Sequence, residues 1–121
     1  MFTLSYMTEY ERFLRKAWLA RPHLSDEELY DRFYVGSGIR RDIPCRVRRE
    51  LIDALGEGLD SLYPSDNLAF AVEDVDFADV LFRMEREFGI AIPLETIPGE
   101  IDGTFDSIVR YVSQALNGKG P

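Results

Sequence analysis

The side chains with chemistry to offer fall into four groups. His23 is the one histidine and Cys45 the one cysteine. Arg40, Arg41, Arg46, Arg48 and Arg49 crowd around that cysteine, and Glu73, Asp74, Asp76 and Asp79 form a run of carboxylates further along. A single histidine, with no second Cys or His and no acid partner recognisable nearby in sequence, argues against zinc ligation and hydrolytic triads; His23 reads as structural or solvent-facing. Cys45 stands near the start of an expected helix, where a thiolate is stabilised. No general base accompanies it, so it reads as a packed, inert thiol. The carboxylate run lacks the glycine turn and alternating oxygen ligands of a calcium loop, so no metal site is expected. Without an acid, base or nucleophile in a working constellation, no catalytic residue is assigned and the chain is expected not to be an enzyme.

Charge is unevenly spread along the 121 residues. Residues 1–50 hold ten Lys/Arg and eight Asp/Glu, whereas residues 51–121 hold four and fourteen, so the net charge of −8 arises in the second part. Such a surface repels phosphate backbones and favours a basic protein partner. The Arg40–Arg49 cluster is the exception. Arg46 and Arg49 share a helix face, which keeps nucleic-acid binding as an alternative. No aromatic residues accompany them for stacking, and pairing with carboxylates or simple solvation is preferred.

The elements that position these residues are helical, and the fold class expected is all-α. A helix over Thr8–Ala20 opens with Thr8 and Glu11 as a capping box and presents Tyr10, Phe13, Leu14 and Trp18 on one face. A second, Asp26–Tyr34, opens with Ser25 and Glu28, and turns Leu29 and Phe33 inward, with Tyr30 a further candidate for that face. A third spans Pro44–Leu55, with Asp42 as its cap and Val47, Leu51, Ala54 and Leu55 on one face. After a long loop, 57–73, anchored by Leu59, Leu62, Leu68 and Phe70, a fourth helix covers Val75–Phe88. Its apolar stripe is Phe77, Val80, Leu81, Met84 and Phe88, with Asp76, Asp79, Arg83 and Glu87 toward water and Gly89 as C-cap. A short turn is expected near Leu94–Ile97 and a last helix over Phe105–Leu116, capped by Thr104. No apolar run approaches the ~20 residues of a membrane span, and Met1–Tyr10 lacks a basic n-region followed by an apolar h-region. One unpaired cysteine suits a reducing compartment. A cytoplasmic protein is expected.

Four stretches, in order, carry a resemblance. They are Ile43, Arg46, Val47 and Leu55-Gly56; Tyr63-Pro64-Ser65-Asp66-Asn67-Leu68; Met84-Glu85-Arg86-Glu87-Phe88-Gly89-Ile90-Ala91-Ile92-Pro93; and Thr104-Phe105 through Tyr111-Val112. Together they resemble the acyl carrier proteins, and the third stretch is the most specific. The resemblance covers residues 43–116 and implies an acyl-carrier-protein-like helical bundle over residues 41–121, with residues 1–40 a two-helix N-terminal extension. It implies a serine at the start of the fourth helix that would carry phosphopantetheine. Counting back from the third stretch without a gap, Asp74 occupies that position. No serine or threonine occurs between Asn67 and Glu95, and the nearest hydroxyls, Ser61 and Ser65, lie in the long loop. A carboxylate forms no stable phosphodiester with the arm, so no cofactor is expected.

The resemblance therefore points to a non-catalytic carrier-like interaction module without phosphopantetheine. Glu73, Asp74, Asp76 and Asp79 would supply the electrostatic part of the contact with a basic partner, such as an acyl- or peptide-handling enzyme. Val75, Ala78 and Phe82 would supply its apolar part. The alternatives are a genuine acyl or peptidyl carrier modified at an unusual residue and nucleic-acid binding through the arginine cluster. Phe70, Phe77, Phe82, Phe88, Phe105 and Tyr111 are also expected to fill the space that a carrier leaves for an acyl chain. The N-terminal helices either cap the bundle or form a homodimer interface.

Overall fold

The computed structural model describes residues 9, 13, 16, 17, 20–55, 59–68, 77–96 and 99–118. Four α-helices are described over their full length: α1 (Asp26–Phe33), α2 (Asp42–Leu55), α3 (Phe77–Phe88) and α4 (Phe105–Gly118). Two 3₁₀ turns, Leu59–Ser61 and Leu94–Thr96, lie between them. Among the described residues there is no strand, only an isolated antiparallel bridge between Asn67 and Thr104, and the chain is mostly helical as expected. Residues 9, 13, 16 and 17 have helical backbone, but most of the expected Thr8–Ala20 helix lies outside the described residues.

Local sequence accounts for the helix starts. Ser25 accepts a hydrogen bond from Glu28 N–H at 3.1 Å while Glu28 Oε1 accepts from Ser25 N–H at 2.9 Å, the reciprocal pair of a capping box. Thr104 Oγ1 accepts from Ser107 N–H at 3.1 Å and caps α4. The first two N–H groups of α4, which no helical carbonyl can serve, are bound by the preceding loop. Phe105 N–H donates to Asp66 O at 3.1 Å and Asp106 N–H to Pro64 O at 2.8 Å. At α2 the expectation shifts, because Asp42 is the first helical residue instead of the cap before it. Its carboxylate is taken by Arg40 and Arg46.

One core joins all four helices. Val47 and Leu51 of α2, Val80 and Met84 of α3, and Phe105, Ile108, Val109 and Val112 of α4 are fully buried. The long loop is held down as expected by Leu59, Leu62 and Leu68, none more than 1% exposed; Phe70 lies outside the described residues. The same cluster includes Leu24, Leu29, Tyr34 and Ile39 from the N-terminal forty residues, so this part of the extension caps the bundle. Tyr34 was not among the expected inward-facing residues. It ends α1, and its buried ring sends the hydroxyl to Asp106 Oδ1 at 2.8 Å, which ties α1 to α4. Burial and the neighbouring carboxylate push the Tyr34 phenol far above its ordinary pKa.

Candidate functional site

The expected contact surface lies on α3, which is divided lengthwise by its sequence. Val80, Leu81, Met84 and Phe88 are buried, Phe77 is half-buried, and Ala78, Asp79, Phe82 and Arg86 are exposed. Phe82 is 56% exposed. It is therefore not one of the rings that fill the interior, contrary to that expectation, because it sits one helical step off the buried stripe. Arg86 lies over its ring, with the guanidinium carbon 5.5 Å from the centroid. Asp79 accepts from Arg83 Nε at 3.0 Å, one turn along. Of the residues expected to meet a partner, Asp79 and Phe82 thus share this exposed face, whereas Glu73, Asp74, Val75 and Asp76 lie outside the described residues.

Arg83 and Glu87 were expected to point toward water and instead reach across to α2. Arg83 Nη1 lies 3.8 Å from Glu50 Oε1. Arg46 donates to Glu87 Oε2 at 2.8 Å and to the Glu87 carbonyl at 3.1 Å, with its guanidinium 4.5 Å from the Phe88 ring centroid. Helical periodicity alone gave no sign of these pairs, since it cannot say which half-exposed position finds a partner 41 residues away in sequence.

The conspicuous Glu-x-Glu-Phe-Gly-Ile-x-Ile-Pro stretch has a structural account. Gly89 adopts φ +65° after Phe88, a left-handed conformation that side chains with a Cβ resist. Both Gly89 N–H and Ile90 N–H bond to the Glu85 carbonyl, at 2.8 and 3.2 Å, which closes the helix end. Glu85 Oε2 then accepts from Ile92 N–H at 2.6 Å, and the turn delivers Ile90 and Ile92 into the core.

The second motif is a β-turn. Asp66 N–H bonds to Tyr63 O at 3.0 Å with Pro64 in the second position, and Asp66 Oδ2 accepts from Tyr63 N–H at 2.7 Å and from Arg21. Arg21 also lies 4.0 Å above the Tyr63 ring, and the Phe33 ring packs against Tyr63 at 5.1 Å between centroids. The N-terminal segment thus clamps this loop. Ser61 is fully buried and donates to the Arg21 carbonyl at 3.1 Å, while Ser65 is exposed in the turn.

The arginine cluster is largely paired with carboxylates. Arg40 binds Asp42 with two hydrogen bonds of 2.8 Å, and Arg46 adds a third at 2.9 Å. These cations, Arg40 foremost, hold the Asp42 carboxyl well below the usual carboxylate range. Arg48 is 5% exposed and donates to Leu24 O at 2.7 Å, Asp60 O at 3.2 Å and the Asp26 carboxylate at 2.8 Å. Cys45 lies among them, buried, with Sγ 3.5 Å from the Arg41 carbonyl and 3.6 Å from that of Asp26. Burial first, and then the Asp26 charge, push the thiol pKa up despite the nearby arginines, as an unreactive thiol requires.

His23 does have an acid neighbour, which the sequence did not reveal: Nδ1 lies 2.9 Å from Asp60 Oδ2, in a largely exposed pair. Among the described residues, no group of three or more His, Cys, Asp or Glu could hold a metal ion. Nor is any described helix long and apolar enough to cross a membrane. No model of a protein family matches the chain, and neither a curated protein nor a solved structure does.

Proposed function

We propose that this chain is an acyl-carrier-like bundle that works in the cytoplasm as a non-catalytic protein-interaction module without phosphopantetheine. It meets a basic partner, such as an acyl- or peptide-handling enzyme, through α3. The observation that carries the reading is the exposed pair on that helix: Phe82 at 56% exposure, with Asp79 three positions earlier on the same solvent side. A large ring left in water is the kind of apolar anchor that a partner's pocket covers, and a carboxylate beside it sets approach and orientation. Asp74 at the position of the family's attachment serine removes the hydroxyl to which the arm would be joined.

Two measurements test this. Incubation with coenzyme A and a promiscuous pantetheinyl transferase should leave the intact mass unchanged; an added pantetheine mass on any residue, exposed Ser65 included, makes the chain a true carrier and overturns the reading. A photoreactive side chain at position 82 should cross-link a partner with a basic surface. Charge reversal at Asp76 and Asp79 together should then slow association with the purified partner. An unchanged association rate removes α3 as the contact face.

A further inference from the structure

We infer that the hollow beside the first turn of α2 is a binding site for a small phosphate-bearing anion. The hollow is a shallow depression of about 630 Å³, open to solvent over most of its face. Arg40, Arg41, Arg46 and Arg49 line it with Cys45 and two carboxylates, Asp26 and Asp42. Asp31 and Glu87 also pair with Arg41 and Arg46 at its edge, and Arg48 lies against Asp26, so five guanidiniums meet four carboxylates and the neighbourhood keeps only a small positive excess on a chain whose net charge is −8.

The arginines divide into two that are fixed and two that are loosely held. Asp42 grips the Arg40 fork on both sides and takes one N–H of Arg46, while Glu87 and the Phe88 ring hold the rest of Arg46. These two form a rigid wall. Arg41 makes one hydrogen bond of 3.2 Å to Asp31, with both side chains more than half exposed, and lies over the Tyr30 ring at 4.5 Å. Stacking uses the guanidinium face and leaves its N–H edge for an oxyanion. Arg49 stands 3.9 Å from Asp26 and is 63% exposed, too far for a hydrogen bond. Exposed contacts of this kind are worth at most about 1 kcal/mol, so both forks are available to a ligand. Guanidinium forks match the two-oxygen edge of a phosphate.

Ring geometry favours a small ligand over a nucleic acid. Single strands are held largely by bases stacked on aromatic side chains, and guanidiniums already lie over the rings of Tyr30 and Phe88 beside this cluster. The hollow does not depend on the α3 contact face, and the two readings stand or fall separately.

Calorimetric titration of the whole chain with inorganic pyrophosphate, at low ionic strength, tests the site. Saturable binding is expected, weakened about tenfold or more in the double variant Arg41→Gln, Arg49→Gln. It should be unchanged in Arg110→Gln, whose residue lies outside the hollow. Absence of saturable binding, an equal loss in Arg110→Gln, or tight binding of duplex DNA that pyrophosphate does not displace would each overturn the assignment.

Discussion

Arg48 Nη2 lies 2.8 Å from Asp26 Oδ1, in a pair whose arginine side chain is 6% exposed and whose aspartate is 52% exposed. The asymmetry decides what each partner is worth. Arg48 also serves the backbone carbonyls of Leu24 and Asp60, so its loss strands acceptors in the interior. Arg48→Met should cost about 2–4 kcal/mol, whereas Asp26→Asn, which removes one well-hydrated charge, should cost under about 1 kcal/mol. Urea midpoints at constant slope would measure both. Equal losses would mean that the ion pair, not the carbonyl contacts, holds Arg48 in place.

Two phenylalanines make the next contrast. Phe105 is fully buried and Phe82 more than half exposed. Phe105→Ala should destabilise the fold by about 3–5 kcal/mol, and Phe82→Ser should stay within about 0.5 kcal/mol of the native chain. Thermal denaturation separates them. A large loss in Phe82→Ser would give that ring a structural role and weaken its candidacy as a docking anchor.

Acid should reveal Asp42. Its pKa in the folded state is depressed below the unfolded value, so its stabilising contribution is complete above the ordinary carboxylate pKa of about 3.9. That contribution is lost as pH falls through the lower folded-state value. Stability measured between pH 7 and pH 3 should therefore fall less steeply at its acid end in Asp42→Asn than in the native chain. Curves of identical steepness would show that Arg40 and Arg46 do not favour the ionised carboxyl.

Gly103 has φ +97°, and a Cβ there would come within 3.3 Å of the Asn67 side chain. Gly103→Ala should lower stability by about 1–2 kcal/mol through backbone strain, with added crowding against Asn67. Since Leu68 N–H bonds to the Gly103 carbonyl at 2.9 Å, amide exchange at Leu68 should quicken in the variant. Unchanged exchange would place the strain elsewhere.

Some of this architecture was legible in the sequence because its causes are local. Ser25 with Glu28, Thr104 ahead of Phe105, and Gly89 after Phe88 mark helix ends through neighbours within a few residues, and each does so in the fold. The stripe of Val80, Leu81, Met84 and Phe88 follows from helical period alone. What escaped was set by distant partners. Nothing near Arg48 foretells that carbonyls at positions 24 and 60 will converge on it, and Tyr34 looks like a helix-end residue until Asp106 meets its hydroxyl. The exposed face of α3 was half legible, since Asp79 and Phe82 both fall on it, while Arg83 and Glu87 turn to α2 because Glu50 and Arg46 lie within reach.

Leu24, Leu29, Tyr34 and Ile39 contribute side chains to the same interior as α2, α3 and α4. A fragment cut to begin at Ile43 would open that interior to solvent along one side and leave the Asp106 carboxylate without its phenol. Such a shortened chain would be sticky and prone to aggregate, so the N-terminal third must travel with the remainder in any fusion or transplant.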